Sequence, residues 1–287
     1  MSSAIENLSP SLRERVLTGL GLSEPPAPTL AGLKTLYGAW CRKVPFDNVR
    51  KRIHVSRRDP GPLPGDEATE FFEAWLAYGT GGTCWAGNGA LQALLVSLGF
   101  AAQRGVGTML VAPNIPPNHG TVLVTCEGTT YVTDASILHS EPLPLDDHTV
   151  TCIDHPVWGV ACHSRDGHWY IQWRPLHQPS GLDCRIDQLS ATGEVFKTRH
   201  EHTRAWSPFN YEVYARLIRG DTVVGVAFGE RVEFDSSGRV SRRRLEGDEC
   251  LKVLVDELGM SEQIVNQLPA DTPTPPPPGS RAAVGAP

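Results

Sequence analysis

Cys84, His119 and Asp134 are the residues of this chain whose types and order could do chemistry together. Cys84 closes the run Gly79-Thr80-Gly81-Gly82-Thr83-Cys84 and opens a helix-like stretch, while His119 and Asp134 stand at either end of a hairpin-like segment. A cysteine, a histidine and a carboxylate are the nucleophile, base and orienter of an activated thiol. The thiol attacks as its thiolate, and the oriented N–H dipoles of a helix start favour that form. Gly81 and Gly82 are expected to let the backbone turn tightly into the helix.

The hairpin sets the geometry of the other two. Thr121 to Cys126 and Thr129 to Thr133 flank Glu127-Gly128, a turn signal between β-like runs. A two- or four-residue loop places Cys126 opposite Thr129. His119 and Asp134 then sit two positions from direct opposition, on one face at the open end. A three-residue loop would separate them onto opposite faces. Paired, the aspartate fixes the imidazole tautomer and leaves its other nitrogen for the thiol. The competing structural readings are a small buried cysteine opening a core helix and a surface hairpin with two unrelated polar residues.

The elements around these residues read as α+β. Apolar positions Leu12, Val16, Leu17 and Leu20 have helical spacing that ends at Gly21. Thr29 caps a second helix with the face Leu30, Leu33, Leu36, Tyr37 and Trp40. Val44-Pro45 ends it, since the residue before proline is pushed out of the helical region. A Pro/Gly-rich loop over 59–65 leads to a third helix, Glu67 to Leu76. Ala90 to Leu98 is apolar on nearly every side, as a buried helix would be. From Arg104 the texture turns to strands, expected at 157–161, 169–173, 211–218, 222–228, 231–234 and 240–245, before a final helix from Gly247 to Leu258. Residues 270–287, rich in proline, are expected to be disordered. Helices first and strands after argue against an alternating βαβ pattern.

Composition narrows the class. The chain has 287 residues, 40% hydrophobic and 20% charged, with a net charge of -6. That charge, with only the short basic run Arg242 to Arg244, argues against nucleic-acid binding. No stretch approaches the ~20 apolar residues of a membrane span. Met1 to Glu14 lacks the pattern of a signal peptide. The seven cysteines are therefore read as reduced thiols of a cytoplasmic protein. Cys152, His155, Cys162, His163 and His168 do not have the spacing of a zinc motif, and no metal is expected. His139, His148, His177, His200 and His202 lie in polar or proline-bearing stretches and are expected at the surface. Trp158, Trp169 and Trp173 are expected in the core or lining a pocket.

Gly81-Gly82-Thr83-Cys84-Trp85-x-x-Asn88 resembles the nucleophile motif of the arylamine N-acetyltransferase family, usually written R-G-G-x-C-F-E-x-N. Val44-Pro45-Phe46-Asp47-Asn48 resembles that family's I/V-P-F-E-N segment. Ser207-Pro208-Phe209, Tyr214-Ala215-Arg216 and 245–260 are similar to its C-terminal region. The resemblance spans about residues 10 to 265. It implies an N-terminal helical bundle (1–98), a β-barrel (99–205) and an α/β lid (206–268) around a papain- or transglutaminase-like Cys-His-Asp core, followed by a tail over 269–287. It also implies that Cys84 takes an acetyl group from acetyl-CoA and passes it to an arylamine, hydrazine or other amine by a ping-pong mechanism, with Phe46 and Ile137 at the substrate. Thr80 replaces the family's arginine, Trp85-Ala86 its Phe-Glu, and Asp134-Ala135-Ser136-Ile137-Leu138 its D-V-G-F-G. Those changes leave open an amide synthase or acyltransferase of secondary metabolism, fed by a carrier protein or a larger acyl thioester. A transglutaminase-like or cysteine hydrolase, or a non-catalytic binding module, are the readings of other classes.

Overall fold

The structure is a computed structural model and describes residues 8–112 and 114–278. Residues 279–287 of the expected tail, and the first seven residues of the segment read for an export signal, lie outside the described residues.

Helices α1 (Pro10–Leu20) and α2 (Leu30–Lys43) form as expected, and each is capped by a side-chain oxygen: Ser9 accepts from Leu12 N–H and Thr29 from Gly32 N–H. The two-residue strand β1 (Phe46–Asp47) follows, then α3 (Val49–Arg57), α4 (Ala68–Tyr78) and α5 (Cys84–Ser97). Helix α5 is buried along nearly its whole length, as its all-round apolarity predicts. Trp40, Phe71, Phe72 and Trp75 form a continuous aromatic cluster between α2 and α4.

The chain then builds an eight-stranded antiparallel sheet from β2 (Ala101–Met109), β3 (His119–Cys126), β4 (Thr129–Thr133), β5 (Leu143–Pro144), β6 (Thr151–Ile153), β7 (Val160–Arg165), β8 (His168–Trp173) and β9 (Leu182–Ala191). Its order is β5-β4-β3-β2-β9-β8-β7-β6. The edges curl towards each other, and Thr151 Oγ1 of β6 donates to Pro144 O of β5 at 2.6 Å, so the sheet comes close to closing as a barrel. Helix α6 (Gly193–His202) packs back on α5 through an edge-to-face contact of Phe196 with Trp85.

A second antiparallel sheet, β1-β10-β11-β12-β13, joins β10 (Tyr214–Arg219), β11 (Thr222–Ala227), β12 (Glu230–Phe234) and β13 (Val240–Arg244) to β1 near the N-terminal end of the chain. Against it pack α7 (Glu249–Lys252), which continues as a π-helical turn over Val253–Glu257, and α8 (Glu262–Val265), with Val49 and Ile53 of α3 in the same apolar cluster. The mixed helix and sheet layout agrees with the α+β expectation.

Several local expectations are corrected. Residues 157–159 are not strand, because Gly159 N–H closes a turn on His155 O at 2.9 Å and β7 starts only at Val160. Residues 211–213 are not strand either: they follow a 3₁₀ turn, Pro208–Asn210, capped by Ser207, and β10 starts only at Tyr214. Elements α3, β9 and α6 go beyond those expected. His139 and His200, expected at the surface, are buried: the His139 ring packs on Tyr37 with Nδ1 on Glu141 O, and His200 turns Nε2 to Pro64 O on the inner side of α6 while its neighbours Glu201 and His202 stay exposed. Residues 269–275, expected to be disordered, are held against the body. Arg52 binds Asp271, Pro269 O and Ala270 O, Thr272 N–H donates to Tyr211 O, and Trp206 Nε1 donates to Pro275 O.

Candidate active site

The hairpin forms in the register that joins His119 to Asp134. Cys126 pairs with Thr129 and Val122 with Thr133, across a two-residue turn in which Glu127 and Gly128 both have positive φ (53° and 82°). Asp134 follows the last residue of β4, and His119 begins β3. Their side chains meet with Nε2 to Oδ2 at 2.7 Å, and both are buried, 2% and 1% exposed.

Asp134 is held from all sides. Its Oδ1 accepts the N–H groups of Ser136 (2.8 Å) and Ile137 (3.0 Å), so the chain folds around the carboxylate. Tyr37 of α2 straddles its peptide unit: the hydroxyl donates to Asp134 O at 2.8 Å and accepts from Asp134 N–H at 3.0 Å and His139 N–H at 3.3 Å. Asn88, one turn into α5, donates to Gly120 O and accepts from Ala135 N–H, stitching the helix to β3 and to the loop after β4. Tyr37 was legible only as a core position of α2; its hydroxyl finds Asp134 through tertiary packing.

Cys84 is the first residue of α5, 8% exposed. Thr83 stands at the N-cap position, but its side chain makes no capping bond. The first N–H groups of the helix are therefore left without that partner. Cys84 Sγ lies 3.8 Å from Asn118 O, and it is near enough to His119 to favour the charged imidazole. With Nε2 committed to Asp134, the ring nitrogen left for the thiol is Nδ1. Gly81 and Gly82 serve differently from the expected tight turn, since neither has a positive φ. A Cβ on Gly81 would lie 1.9 Å from Pro45 O. The glycine lets β1 run directly alongside the approach to Cys84, where Gly81 N–H donates to Asp47 Oδ2 at 2.6 Å and Asp47 N–H to Gly82 O at 3.2 Å.

The electrostatics fit a charged pair. Burial opposes ionisation of both groups, yet the mutual attraction and hydrogen bond win: His119 is raised well above its ordinary 6.5 and Asp134 lowered below its ordinary 3.8. Asp47 has the opposite fate. Burial outweighs its two backbone hydrogen bonds and the Arg50 charge and pushes the carboxyl up to about 6. Thr80, in place of an arginine, brings no charge to it.

Phe46 is buried edge-to-face against Phe209 and Tyr214, and Ile137 is fully buried. Leu138 has φ 55°, the left-handed conformation that glycine adopts without strain, at the place of the motif's final glycine. No group of three or more His, Cys, Asp or Glu side chains that could hold a metal ion occurs among the described residues. Nor is any helix among them long and apolar enough to cross a membrane.

Comparison with known proteins places the fold. The N-acetyltransferase family profile matches residues 29–215. An arylamine N-acetyltransferase of Mycolicibacterium smegmatis is 26% identical over 205 residues, 71% of this chain. The chain spans 60% of the length of that curated relative. The structure of the Mycobacterium marinum arylamine N-acetyltransferase in complex with CoA superposes with a TM-score of 0.75 at 18% identity, covering 90% of this chain and 94% of that one. The Mycobacterium abscessus enzyme superposes at 0.74 and 18% identity, over 89% and 92%. These superpositions establish the shared fold, and because the family profile covers more than half of the sequence, the chain belongs to the arylamine N-acetyltransferase family.

Proposed function

We propose that the protein is an N-acyltransferase that moves an acetyl group from acetyl-CoA, through a thioester on Cys84, to a small amine such as an arylamine or hydrazine. The His119–Asp134 contact of 2.7 Å beside a cysteine at a helix start carries this proposal. Cys84 gives its proton to His119 Nδ1 and its sulfur attacks the thioester carbonyl. The C–S bond to CoA breaks, and the departing thiolate takes the proton from the imidazolium. The amine nitrogen then attacks the acyl-Cys84 carbonyl, loses a proton to His119, and displaces the Cys84 thiolate. The buried Asp134 carboxylate keeps the proton on Nε2 and stabilises the imidazolium. The first N–H groups of α5 are suited to the tetrahedral oxyanion.

Intact-protein mass after exposure to acetyl-CoA tests the donor half-reaction. Gain of one acetyl group, mapped to Cys84 and removed by an added arylamine with amide formation, is the expected result. No adduct, or release of free acetate without dependence on amine, would sink the proposal; the latter would favour a cysteine hydrolase. The buried Ile137 and Leu138, where the family motif has an aromatic residue and a glycine, favour a second reading with a different acyl group. The same mass experiment with longer thioesters decides between them. Nothing in the site or in the comparisons calls for a carrier protein.

A further inference from the structure

Asp47 is a buried carboxylate, 1% exposed, that lies outside the triad. It stands on β1 where three elements meet. Its Oδ2 accepts from Gly81 N–H at 2.6 Å, three residues before Cys84, and its Oδ1 accepts from Val49 N–H at 2.9 Å at the start of α3. The backbone beside it is tied as well. Asp47 N–H donates to Gly82 O, Asn48 N–H donates to Tyr214 O, and Asp47 pairs with Ala215 of β10.

The loop that enters α5 has few other side-chain anchors. Thr80 is fully buried, and its Oγ1 has no partner among the described residues. Thr83 gives no capping bond. Gly82 rests against Phe71 and Ala86, 3.1 and 2.9 Å from where a Cβ would stand. The Asp47 carboxylate is thus the one charged group bonded to this loop, and through it to the first turn of α5.

No basic side chain bonds to that carboxylate among the described residues. Arg50, one turn along α3, favours its charge but is itself paired with Glu70 of α4. Lys51 on α3 and Cys84 on α5 make no bond to it, and Tyr214 and Arg216 of β10 lie on the face of Phe46 instead. Burial therefore prevails over the two backbone bonds and raises the carboxyl to about 6. Asp47 changes charge in a range where His119 and Asp134 both stay ionised. Protonation also alters its bonding: both oxygens face N–H groups, so a proton on either sets donor against donor and removes the charge assistance.

We infer that Asp47 is a positioning residue of the acylation step: its ionised carboxylate clamps Gly81 to the start of α3 and so keeps Cys84 in line with His119. This rests on the acyl-transfer reading of Cys84.

Single-turnover acylation by acetyl-CoA, timed by intact mass from pH 5 to 8, tests it, with near-ultraviolet circular dichroism recorded at each pH. The wild-type rate should fall about 10- to 100-fold on acidification, in one step centred near pH 6, while the fold persists. That is the range for losing a hydrogen bond to a charged group that aligns a reacting atom. Asp47→Asn sets an NH2 against one of the two N–H groups and so imitates the protonated form. Its rate at pH 8 should match the wild-type acid plateau and stay flat down to pH 5. Arg50→Met removes the charge that favours ionisation, so its step should move to higher pH with both plateau rates kept within a few-fold. A wild-type rate with no step, or a step that coincides with loss of the fold, would overturn the inference. So would a step that survives in folded Asp47→Asn, or one that fails to move up in Arg50→Met. If acetyl-CoA acylates Cys84 at no pH, the acyl-transfer reading itself fails, an outcome distinct from acylation without the step.

Discussion

Replacing Asp134 with asparagine keeps the shape of the side chain and changes which atoms can donate. Oδ1 accepts two backbone N–H groups, from Ser136 and Ile137. The asparagine oxygen must stay there, because its NH2 would face two donors. The NH2 is then directed at His119 Nε2, which must become an acceptor. The neutral imidazole consequently carries its proton on Nδ1, the nitrogen facing Cys84, and cannot take the thiol proton. The expected loss in the rate of Cys84 acylation is about 10³- to 10⁴-fold, on the scale seen for the equivalent change in serine-protease triads. That is about 4–5.5 kcal/mol at 1.36 kcal/mol per decade.

The pair also affects stability in a pH-dependent way. His119 is raised above 6.5, so its contribution is complete below that value and fades as pH rises through the folded value. Asp134 is depressed below 3.8, so its contribution is present above that value and fades as pH falls through its folded value. The melting temperature of Asp134→Asn should therefore fall furthest below wild type between about pH 4 and 6.5. The kinetic assay is single-turnover acylation by acetyl-CoA followed by intact mass, with circular dichroism to check the fold. A well-folded variant that lost less than about tenfold would refute the tautomer reasoning.

Three further perturbations follow from particular contacts. Tyr37→Phe removes one hydroxyl that serves Asp134 N–H, Asp134 O and His139 N–H, and should cost about 2–4 kcal/mol in denaturant unfolding; a cost under 1 kcal/mol would mean those groups find other partners. Leu138→Gly should destabilise by only about 1–3 kcal/mol, because relief of a left-handed conformation worth about 1–2 kcal/mol offsets part of the about 2–5 kcal/mol that emptying a buried leucine site costs; a loss above about 5 kcal/mol would show that no strain is relieved. Truncation after Leu268 and Arg52→Met should each destabilise, and their combined effect should fall short of the sum by at least about 1.5 kcal/mol, because both remove the Arg52–Asp271 pair; additive losses in a double-mutant cycle would show that the tail is not held by Arg52.

How much was legible differs from element to element. The hairpin was readable because its turn residues tolerate positive φ and its parity is a property of strand geometry alone. Strand β9 carries a faint alternation, with Leu182, Cys184 and Ile186 buried and Asp183, Arg185 and Asp187 between them, but the charges mask it. Helix α3 has no apolar stripe to read: Arg50, Lys51, Arg52 and His54 are buried by contacts with α4, the tail and the end of α6. His139 and His200 failed for the same reason, since burial of a polar side chain depends on what comes to cover it.

The sequence by itself determined the order of chemical groups, the helix that begins at Cys84, and the strand parity that lets His119 and Asp134 share a face. Those features rest on backbone periods and turn preferences, which act over a few residues. Only the tertiary structure decided that Tyr37 and Asn88 hold the aspartate loop, that Gly81 is needed for the close approach of β1, and that the polar residues opening α3 are buried. These depend on segments up to about a hundred positions apart being packed together, where desolvation fixes which charges must find partners.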